Sequence, residues 1–428
     1  MAGYMTSAVV AANLDAMAQR FPTLCTRSGS DWAPGWSGGT SGWVKIAAVL
    51  DDSPADRWAV LITGGVHARE LAPPDALVSF LGNLLRAYDA QSDITYPAWT
   101  DPVAGIVYDS FIISWPWVQR IVERLDLYVV PLVNDDGRDW VLGPMPANAS
   151  WDTEWPHKWW RKNRRPAPAG STDPRAVGVD INRNFDILWE YKTHYNTALG
   201  PKLVDSSTNP VRGIYIGPDK ETEPETQNVA NLMRDKDISF FLDVHAIGRV
   251  VMYSWGIETD QTTDPTQSFT NPAWDGKRDG TQRDTYREYI PASAAALGIV
   301  AAQRISDQIQ VKAGGSSPAA QARSDYGVIQ AADMYVTTGT TQDFCFSRWF
   351  APVTGGPPIS PVLSITLEVG AGDPEQPDWE GGFTPDYVKQ YPKLEREIHV
   401  AAWAFLSMAA ALPFQGPVAP PDPAPAGP

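Results

Sequence analysis

Hydrophobic residues recur along the chain in two patterns that alternate with each other and predict strands and helices in turn. Apolar, β-branched runs typical of buried strands lie at Trp58–Thr63, Leu125–Val133, Ile238–Val244 and Val362–Leu367. Helical periodicity is found at Pro73–Tyr88, Glu223–Arg234, Ala292–Lys312 and Pro385–Ala411. This alternation predicts an α/β fold with a mixed, largely parallel twisted sheet and helices on both faces. Ligands of such sheets bind at the carboxyl ends of the strands.

Four long stretches separate these elements: Tyr96–Gln119, Val141–Val177, Glu190–Gly213 and Glu258–Tyr289. The first two are rich in tryptophan and proline. All four are too long for ordinary connections, so we interpret them as functional loops or insertions. Residues 1–412 are predicted to form a single domain. The remaining residues, 413–428, are rich in proline, alanine and glycine and are predicted to be a tail or a linker.

Composition narrows the classes of function. The 428 residues carry a formal net charge of −16, which argues against nucleic-acid binding and against docking on an anionic membrane. No apolar run reaches the roughly 20 residues that span a bilayer, and the first residues lack a secretory signal pattern. We expect Cys25 and Cys345 to be two buried thiols rather than a disulfide, which favours a cytoplasmic location. The sequence does not indicate an oligomeric state.

Two predicted strands end on histidine. In "LITGGVHARE" two glycines follow a strand and precede His67 and Glu70, which are three positions apart, and His245 ends the strand in "FFLDVHAIG". Two imidazoles and one carboxylate are a standard ligand set for a catalytic zinc ion, with the fourth position open for water. Either histidine alone is more often a structural hydrogen-bonding residue, and an isolated His-x-x-Glu pair is a weak signal.

Four further segments carry polar residues suited to a site. They are "HKWWRKNRR" with Arg161, "VGVDINRNFD" with Asp180, Asn182 and Arg183, "ADMYVTTGTTQDF" with Tyr335, and "LSITLEVGAGD" with Glu368. A carboxylate at the end of an apolar strand, such as Glu368, faces either solvent at the sheet edge or a site. From residue types alone both interpretations stay open.

Taken in chain order, seven motifs resemble those of the zinc metallocarboxypeptidases, the carboxypeptidase A family (peptidase family M14). They are "GVHARE", "NDDGRDW", "WWRK", "VGVDINRNF", "FLDVHAIG", "MYVTTGTTQD" and "TLEVG", and they lie between residues 60 and 370. The opening stretch "MTSAVVAANLDAMAQRFPTL" and the predicted helix Pro385–Ala411 are similar to the helices that open and close the family's fold. The resemblance implies that residues 1–412 are a catalytic domain acting on peptides with a free C-terminal carboxylate.

Carried over residue by residue, the resemblance implies one Zn²⁺ per chain, bound by His67, Glu70 and His245. Glu368 matches the general base that activates the attacking water, and Arg161 matches the arginine that stabilises the developing oxyanion. Asp180 matches the carboxylate that orients the first zinc-binding imidazole.

The resemblance also implies how substrate is bound. Asn182 and Arg183 match the pair that grips the C-terminal carboxylate, and Tyr335 matches the mobile tyrosine that closes over the bound residue. Gln342 matches the floor of the side-chain pocket, and as a neutral polar residue it argues against a strict preference for basic C-terminal residues. The neighbouring pocket positions are threonines, Thr337, Thr340 and Thr366. We therefore expect apolar, aromatic or small polar C-terminal residues to be preferred.

Three departures from the family pattern bear on substrate choice. Ala246 and Ile247 follow His245, where the family commonly has Ser and Tyr. Val-Gly-Ala follows Glu368, where the family often has an arginine soon afterwards. The segment from Glu70 to His245 is also longer than in the compact digestive enzymes of the family.

Two other functions stay open. One is a related zinc amidase acting on peptidoglycan stem peptides or N-acyl amino acids. The other is an inactive binder of peptide C-termini, against which the presence of Glu368 and Arg161 speaks. Because the opening helix begins almost at Met1, we also expect activity without proteolytic activation.

Overall fold

The computed structural model of the protein describes residues 3–29, 31–50, 57–144, 157–199, 204–280, 286–350, 361–371 and 382–414. Within these residues the centre of the fold is an eight-stranded sheet. Its strands are β1 (Cys25–Arg27), β2 (Val44–Ile46), β3 (Trp58–Gly64), β4 (Leu125–Val130), β5 (Ile238–Ala246), β6 (Val250–Tyr253), β7 (Gly327–Gln330) and β8 (Leu363–Val369). They lie side by side in the order β1-β2-β4-β3-β5-β8-β6-β7.

The strands in the middle of the sheet, β4, β3, β5 and β8, run parallel to one another. They are the strands predicted from the apolar runs. The pairings β1–β2, β2–β4 and β6–β8 are antiparallel, whereas β6 and β7 pair in parallel. The expected mixed, largely parallel sheet is therefore confirmed. The outer strands were not predicted because three or four residues are too few to show a period.

Helices cover both faces of the sheet. They are α1 (Ser7–Arg20), α2 (Ala72–Ala90), α3 (Trp115–Arg124), α4 (Asp135–Leu142), α5 (Pro224–Asp235), α6 (Ala292–Gln308), α7 (Thr341–Ser347) and α8 (Tyr391–Ala411), with shorter helices at Tyr191–His194, Pro318–Ala322 and Ala331–Met334. Successive side chains of β3 project to opposite faces. Val60 and Ile62 join one apolar core with α2 and α8, and Leu61 joins a second core with α5.

Two predicted elements end differently in the structure. Strand β4 ends at Val130 rather than at Val133, because Pro131 has no N–H with which to continue the ladder. The helix predicted over Ala292–Lys312 is α-helical through α6 and continues as a π-helical segment, Ile309–Ala313.

The last helix begins later than predicted. Helix α8 starts at Tyr391, whereas the periodicity predicts a helix from Pro385 onward. Asp386 Oδ1 accepts the backbone N–H groups of Val388 and Lys389, each at 2.9 Å, and this local hydrogen bonding holds a turn in place of a first helical turn.

The long stretches between elements contain secondary structure of their own. Stretch Tyr96–Gln119 includes the antiparallel pair Trp99–Thr100 and Val107–Tyr108, and its strand Phe111–Ile113 pairs with Ile94–Tyr96. It also includes the beginning of α3, which was not predicted. In Glu258–Tyr289 the ends pair with each other, Gln261–Thr262 against Glu288–Tyr289. Residues 145–156, 200–203 and 281–285 of these stretches lie outside the described residues.

The chain near the predicted domain boundary still contacts the core. Phe414 packs against Trp58 with ring centroids 4.9 Å apart, and residues 415–428 of the predicted tail lie outside the described residues. Cys25 and Cys345 are both buried free thiols. No helix among the described residues is long and apolar enough to cross a membrane.

Candidate active site

The predicted metal-binding residues meet at the carboxyl ends of two central strands. His67 and Glu70 lie in the turn between β3 and α2, and His245 lies at the end of β5. Gly65 makes this turn possible, since its φ is +62° and a Cβ there would lie 2.7 Å from Pro74 Cγ. Any other residue at this position would strain the backbone that presents both ligands.

Donor atoms of the three side chains face one another in a buried space. His67 Nδ1 is 2.6 Å from Glu70 Oε1. His245 Nδ1 is 3.0 Å from Glu70 Oε2 and 3.1 Å from His67 Nδ1. The backbone N–H of Ala246 also donates to Glu70 Oε2, at 3.2 Å. Two imidazole nitrogens and a carboxylate that converge in this way are the ligand set that zinc prefers.

The far nitrogen of each imidazole faces a carboxylate. His67 Nε2 lies 3.3 Å from Asp180 Oδ1, and His245 Nε2 lies 2.9 Å from Asp243 Oδ2. Because a carboxylate only accepts, it favours the tautomer with the proton on Nε2 and a lone pair on Nδ1. Two such lone pairs 3.1 Å apart repel each other unless a cation lies between them. The residues present therefore fit a divalent metal ion such as zinc.

Sequence reasoning did not single out Asp243. It precedes His245 by two positions on β5, so both side chains project from the same face of the strand. Thr63 on the adjacent strand β3 donates its hydroxyl to Asp243 Oδ1 at 2.7 Å. The Asp-x-His spacing within a predicted strand is the signal that could have identified this residue.

Neighbouring charges decide the protonation of the ligand set. Burial alone would raise the pKa of Glu70, but His67 and His245 hold it below its usual range. Burial alone would lower the pKa of His245, but the carboxylates of Asp243 and Glu70 raise it well above its usual value. The pKa of His67 is lowered, by burial and by the charge of Arg161. Binding of a metal ion here displaces a proton from His245, so it competes with acid.

Glu368 lies beside His245 because β5 and β8 pair in parallel with these two residues in register. Its carboxyl group is buried, and Oε2 has no hydrogen-bond partner among the residues that the structure describes. Burial raises the pKa of Glu368 to about 8, an effect that His245 opposes and Glu70 reinforces. A buried carboxyl group with a raised pKa beside His245 and Glu70 is typical of a functional site.

Arg161 reaches the site from the loop that follows the helical turn His157–Trp159. Its backbone carbonyl accepts the N–H of Ala68 at 3.1 Å, which ties this loop to the metal-binding turn. Its Nε donates to Asp180 Oδ2 at 2.9 Å, so one carboxylate contacts both His67 and Arg161. Burial would lower the pKa of Arg161, but Asp180 raises it, and the guanidinium stays charged.

Asn182 and Arg183 follow Asp180 in a short 3-10 turn. Asn182 Oδ1 accepts the backbone N–H and the hydroxyl of Thr341 at 2.8 and 3.0 Å, so its amide is held at the start of α7. The Arg183 guanidinium is bonded to Asp205 and lies 5.9 Å from the centroid of the Tyr335 ring. Tyr335 itself is 42% exposed.

One cavity joins these groups. Its lining includes His67, Arg161, Asn182, Arg183, Tyr335, Gln342 and Glu368, so the structure brings the predicted catalytic and substrate-binding residues together. Gln342 is buried, with Nε2 donating to the carbonyls of Met252 and Ser364 at 3.2 and 3.4 Å and Oε1 accepting from Thr366 at 2.7 Å. The roles inferred for these residues stay predictions.

Comparison with known proteins gives the family. The model of the zinc carboxypeptidase family matches residues 10–385. This chain belongs to the zinc carboxypeptidase family. The resemblance noted in the seven sequence motifs is thereby confirmed.

Individual family members are distant. The chain is 24% identical over 225 residues to mast cell carboxypeptidase A of Rattus norvegicus and 25% identical over 214 residues to carboxypeptidase B of Homo sapiens. Each match covers 50% of this chain and 42% and 38% of the relatives, respectively, so the chain matches less than half of their length. The crystal structure of carboxypeptidase A from Helicoverpa armigera superposes with a TM-score of 0.63 at 17% identity, covering 96% of this chain and 74% of that one. This likeness establishes the carboxypeptidase fold.

Arg69 lies between His67 and Glu70, and sequence reasoning assigned it no role. Its guanidinium stacks on the ring of Phe383, 3.8 Å from the centroid, and Nη1 donates to the carbonyl of Trp159 at 3.4 Å. Burial lowers the pKa of Arg69 to about 10. Arg69 therefore connects the segment of Trp159 with the segment of Phe383.

Proposed function

We propose that this protein is a zinc-dependent carboxypeptidase that hydrolyses the C-terminal peptide bond of peptides. The observation that supports the proposal most strongly is a shared cavity. A metal-ligand histidine, the buried carboxyl group of Glu368 and a carboxylate-binding pair, Asn182 and Arg183, all border it. We call Asn182 and Arg183 the carboxylate clamp. A hydrolase that cuts within a chain needs no such clamp, whereas an enzyme that recognises the chain end does.

The catalytic roles follow from the positions of the side chains. His67, Glu70 and His245 would hold zinc, which when bound supplies Lewis-acid polarisation of the scissile carbonyl and a water of lowered pKa. Glu368 takes a proton from the attacking water at its carboxylate and returns it to the nitrogen of the departing amino acid. Arg161 donates to the carbonyl oxygen as negative charge develops there, and Asp180 holds its guanidinium in place.

The clamp binds the other end of the reacting residue. Each terminal nitrogen of Arg183 makes one hydrogen bond within the described residues, which leaves one N–H on each for a substrate carboxylate. Asn182 uses its amide oxygen to contact Thr341, so its amide nitrogen remains as a donor. Tyr335 closes over the bound residue and excludes water.

We infer that uncharged C-terminal side chains are preferred. Gln342 is a neutral amide, so it presents no charge to a ligand, and its nitrogen and oxygen are both hydrogen-bonded within the protein. The other uncharged residues that line the cavity are glycine, alanine, threonines and methionines: Met252, Gly256, Ala331, Met334, Thr337, Thr340 and Thr366. The acidic Asp343 is buried and accepts the backbone N–H of Gly256. Apolar, aromatic and small polar residues fit this pocket.

The test is cleavage of N-blocked dipeptides by zinc-loaded protein, each dipeptide made with a free and with an amidated C-terminus. We expect the free acids ending in Phe, Leu or Ser to be cleaved faster than those ending in Lys or Glu, and amidation to abolish cleavage. Equal cleavage of free and amidated peptides would overturn the exopeptidase assignment. N-acyl amino acids and peptidoglycan stem peptides belong in the same panel, because faster cleavage of either would replace the peptide substrate with an amidase substrate.

A further inference from the structure

We propose that Asp205 is the resident counter-ion of the carboxylate clamp and that its charge limits how tightly the protein holds C-terminal carboxylates. The inference depends on the proposed function of Asn182 and Arg183. Asp205 belongs to the stretch Glu190–Gly213, to which sequence analysis assigned no specific role.

Three hydrogen bonds hold the Arg183 guanidinium. Nε donates to the backbone carbonyl of Asp205 at 2.6 Å, and Nη1 donates to the backbone carbonyl of Asn182 at 2.8 Å. The third, from Nη2 to Asp205 Oδ2 at 3.0 Å, is the contact with a charged group. Because two carbonyls on different nitrogens already fix the plane of the guanidinium, the carboxylate chiefly contributes its charge.

Arg183 needs that charge when no substrate is bound. Its side chain is 2% exposed, and a buried guanidinium without a nearby anion is unfavourable. The charge of Asp180 also acts on Arg183, but Asp205 is the carboxylate that is hydrogen-bonded to it. The Asp205 carboxylate supplies the anion from a more open position, at 41% exposure. A substrate carboxylate that binds the remaining N–H groups must then share one guanidinium with Asp205. The two like charges repel each other, so the clamp binds carboxylates more weakly than it would with a neutral residue at position 205.

The same residue is attached to the segment that carries the mobile tyrosine. The N–H of Asp205 donates to the carbonyl of Val336 at 2.8 Å, and the hydroxyls of Ser206 and Thr338 are 3.2 Å apart. Asp205 and Tyr335 both line a second cavity that is open to solvent. The counter-ion therefore lies at the edge of the site, where dissolved salt reaches it.

This arrangement affects product as well as substrate. The amino acid released by a carboxypeptidase carries the same carboxylate that the clamp recognises in the substrate. A clamp that is partly neutralised by Asp205 releases that amino acid more readily. Asp205 would thus weaken substrate binding and, to the same extent, inhibition by free amino acids that accumulate during the reaction.

The experiment is Asp205→Asn in the zinc-loaded protein, since asparagine keeps an oxygen acceptor for Nη2 and removes the charge. For N-blocked dipeptides with a free carboxylate we expect KM to fall about three- to tenfold at low salt, with kcat changed less than about twofold. The inhibition constant of the released amino acid should fall by the same factor as KM. Because Asp205 is partly exposed, the difference from the wild type should shrink as salt is raised.

Asp186→Asn is the matched control. Asp186 also pairs with a cation, Lys220 at 2.7 Å, and its carboxylate is 44% exposed. This control should leave KM and the inhibition constant unchanged. An unchanged or higher inhibition constant in Asp205→Asn, or an equal fall in Asp186→Asn, would overturn the proposal. Asp205→Ala, which keeps both backbone contacts, should shift binding in the same direction and replaces Asp205→Asn if that variant does not fold. Failure of the proposed function itself shows separately, as equal cleavage of free and amidated peptides by the wild type.

Discussion

Asp180 and Asp243 occupy equivalent positions behind the two imidazoles, although they come from unrelated parts of the chain. Each favours the imidazole tautomer with a lone pair on Nδ1, and loss of such a partner behind a metal-binding histidine typically costs about 10–100-fold in metal affinity. We predict that Asp243→Asn weakens zinc binding by about that factor, because an amide can turn its NH₂ group toward Nε2 and favour the wrong tautomer. Competition with a chelator of known zinc affinity measures the change.

Thr63, which donates a hydrogen bond to Asp243, provides a variant with a smaller expected effect on zinc binding. Thr63 orients Asp243 through its hydroxyl, so Thr63→Val should weaken zinc binding less than Asp243→Asn does. Asp186→Asn removes an exposed carboxylate that pairs with Lys220, and it should not change zinc binding. If Asp243→Asn binds zinc as tightly as the wild type, Asp243 does not orient His245.

Glu368 allows the roles of metal binding and proton transfer to be separated. Glu368→Gln keeps the shape of the side chain and removes the basic oxygen, so we predict zinc binding within about threefold of the wild type and a fall in kcat of about 10²–10⁴-fold. Zinc content and steady-state kinetics on the same preparation test this. Activity close to that of the wild type would show that another group accepts the proton.

The sequence singles out a site residue where its signal is local in the chain, and the roles of these residues stay predictions. His245 and Glu368 lie near the ends of apolar strands and His67 and Glu70 lie in the turn that follows one, and parallel strands bring their carboxyl ends to one edge of the sheet. Asp205 carries no comparable signal, because it lies in an insertion and meets Arg183 through the tertiary path of the chain.

At the scale of elements, the motif "NDDGRDW" supports the metal-binding turn rather than forming the cavity. Asn134 is fully buried at the start of α4, where Oδ1 accepts the N–H of Gly137 at 2.9 Å and Nδ2 donates to the carbonyl of Val66 at 3.1 Å. Its own N–H donates to the carbonyl of Gly65 at 3.0 Å. The side chain thus caps one helix and fastens the turn that carries His67.

We predict that Asn134→Ala lowers the free energy of unfolding by about 1–3 kcal/mol, through loss of the cap and of the contact to Val66. It should also weaken zinc binding, because the turn before His67 is less restrained. Asn134→Ser separates the two effects: serine can cap α4, so stability recovers in part, but it cannot reach Val66 and zinc affinity should stay as low as in Asn134→Ala. Denaturant unfolding and chelator competition give the two quantities, and full recovery of zinc affinity in Asn134→Ser would contradict this role.

The ends of an element could be predicted where burial in the core gives its sequence a regular pattern of apolar residues. They could not be predicted where a polar side chain bonds the backbone and ends or delays the element. Strands β3, β5 and β8 begin and end within two residues of their apolar runs. The start of α8 is different, since the Asp386 side chain captures backbone N–H groups that a helix would otherwise use. These hydrogen bonds depend on the conformation of one side chain, which cannot be predicted from the spacing of apolar residues.

For the whole molecule, the sequence predicts the fold class and the order of the motifs, because both depend on repeated local patterns. The sequence predicts less about the contacts that hold the four long stretches in place. Stretch Glu258–Tyr289 is anchored by buried acids: Glu258 accepts the N–H groups of Thr259 and Gly280, and Glu288 accepts the Tyr286 hydroxyl and the N–H of Phe269. Acidic residues in a polar stretch are ordinarily expected at the surface, so composition gives no sign of this anchoring.

These buried acids make stability depend on pH. Burial raises the pKa of Glu258 to about 8 and that of Glu288 to about 7, although Tyr286 and the positive charge of Arg278 lower the latter. An unfolded carboxyl group titrates near pH 4, so between about pH 4 and pH 8 the folded chain holds protons that the unfolded chain has released. The stability that these groups contribute is fully present below pH 4 and is lost as pH rises through 7 and 8.

We therefore predict that the double variant Glu258→Gln, Glu288→Gln gains stability relative to the wild type as pH rises from 5.5 to 8.5, because glutamine resembles the protonated acid at every pH. The measurement is the difference in unfolding midpoint between variant and wild type in chelator at each pH, which cancels the contributions of the histidines and of other carboxyl groups. Asp186→Asn, with an exposed carboxylate, should show a difference that does not change over this range. A difference for the double variant that stays constant with pH would mean that Glu258 and Glu288 are ionised throughout, and that the stretch is held by their negative charge rather than by their protonated form.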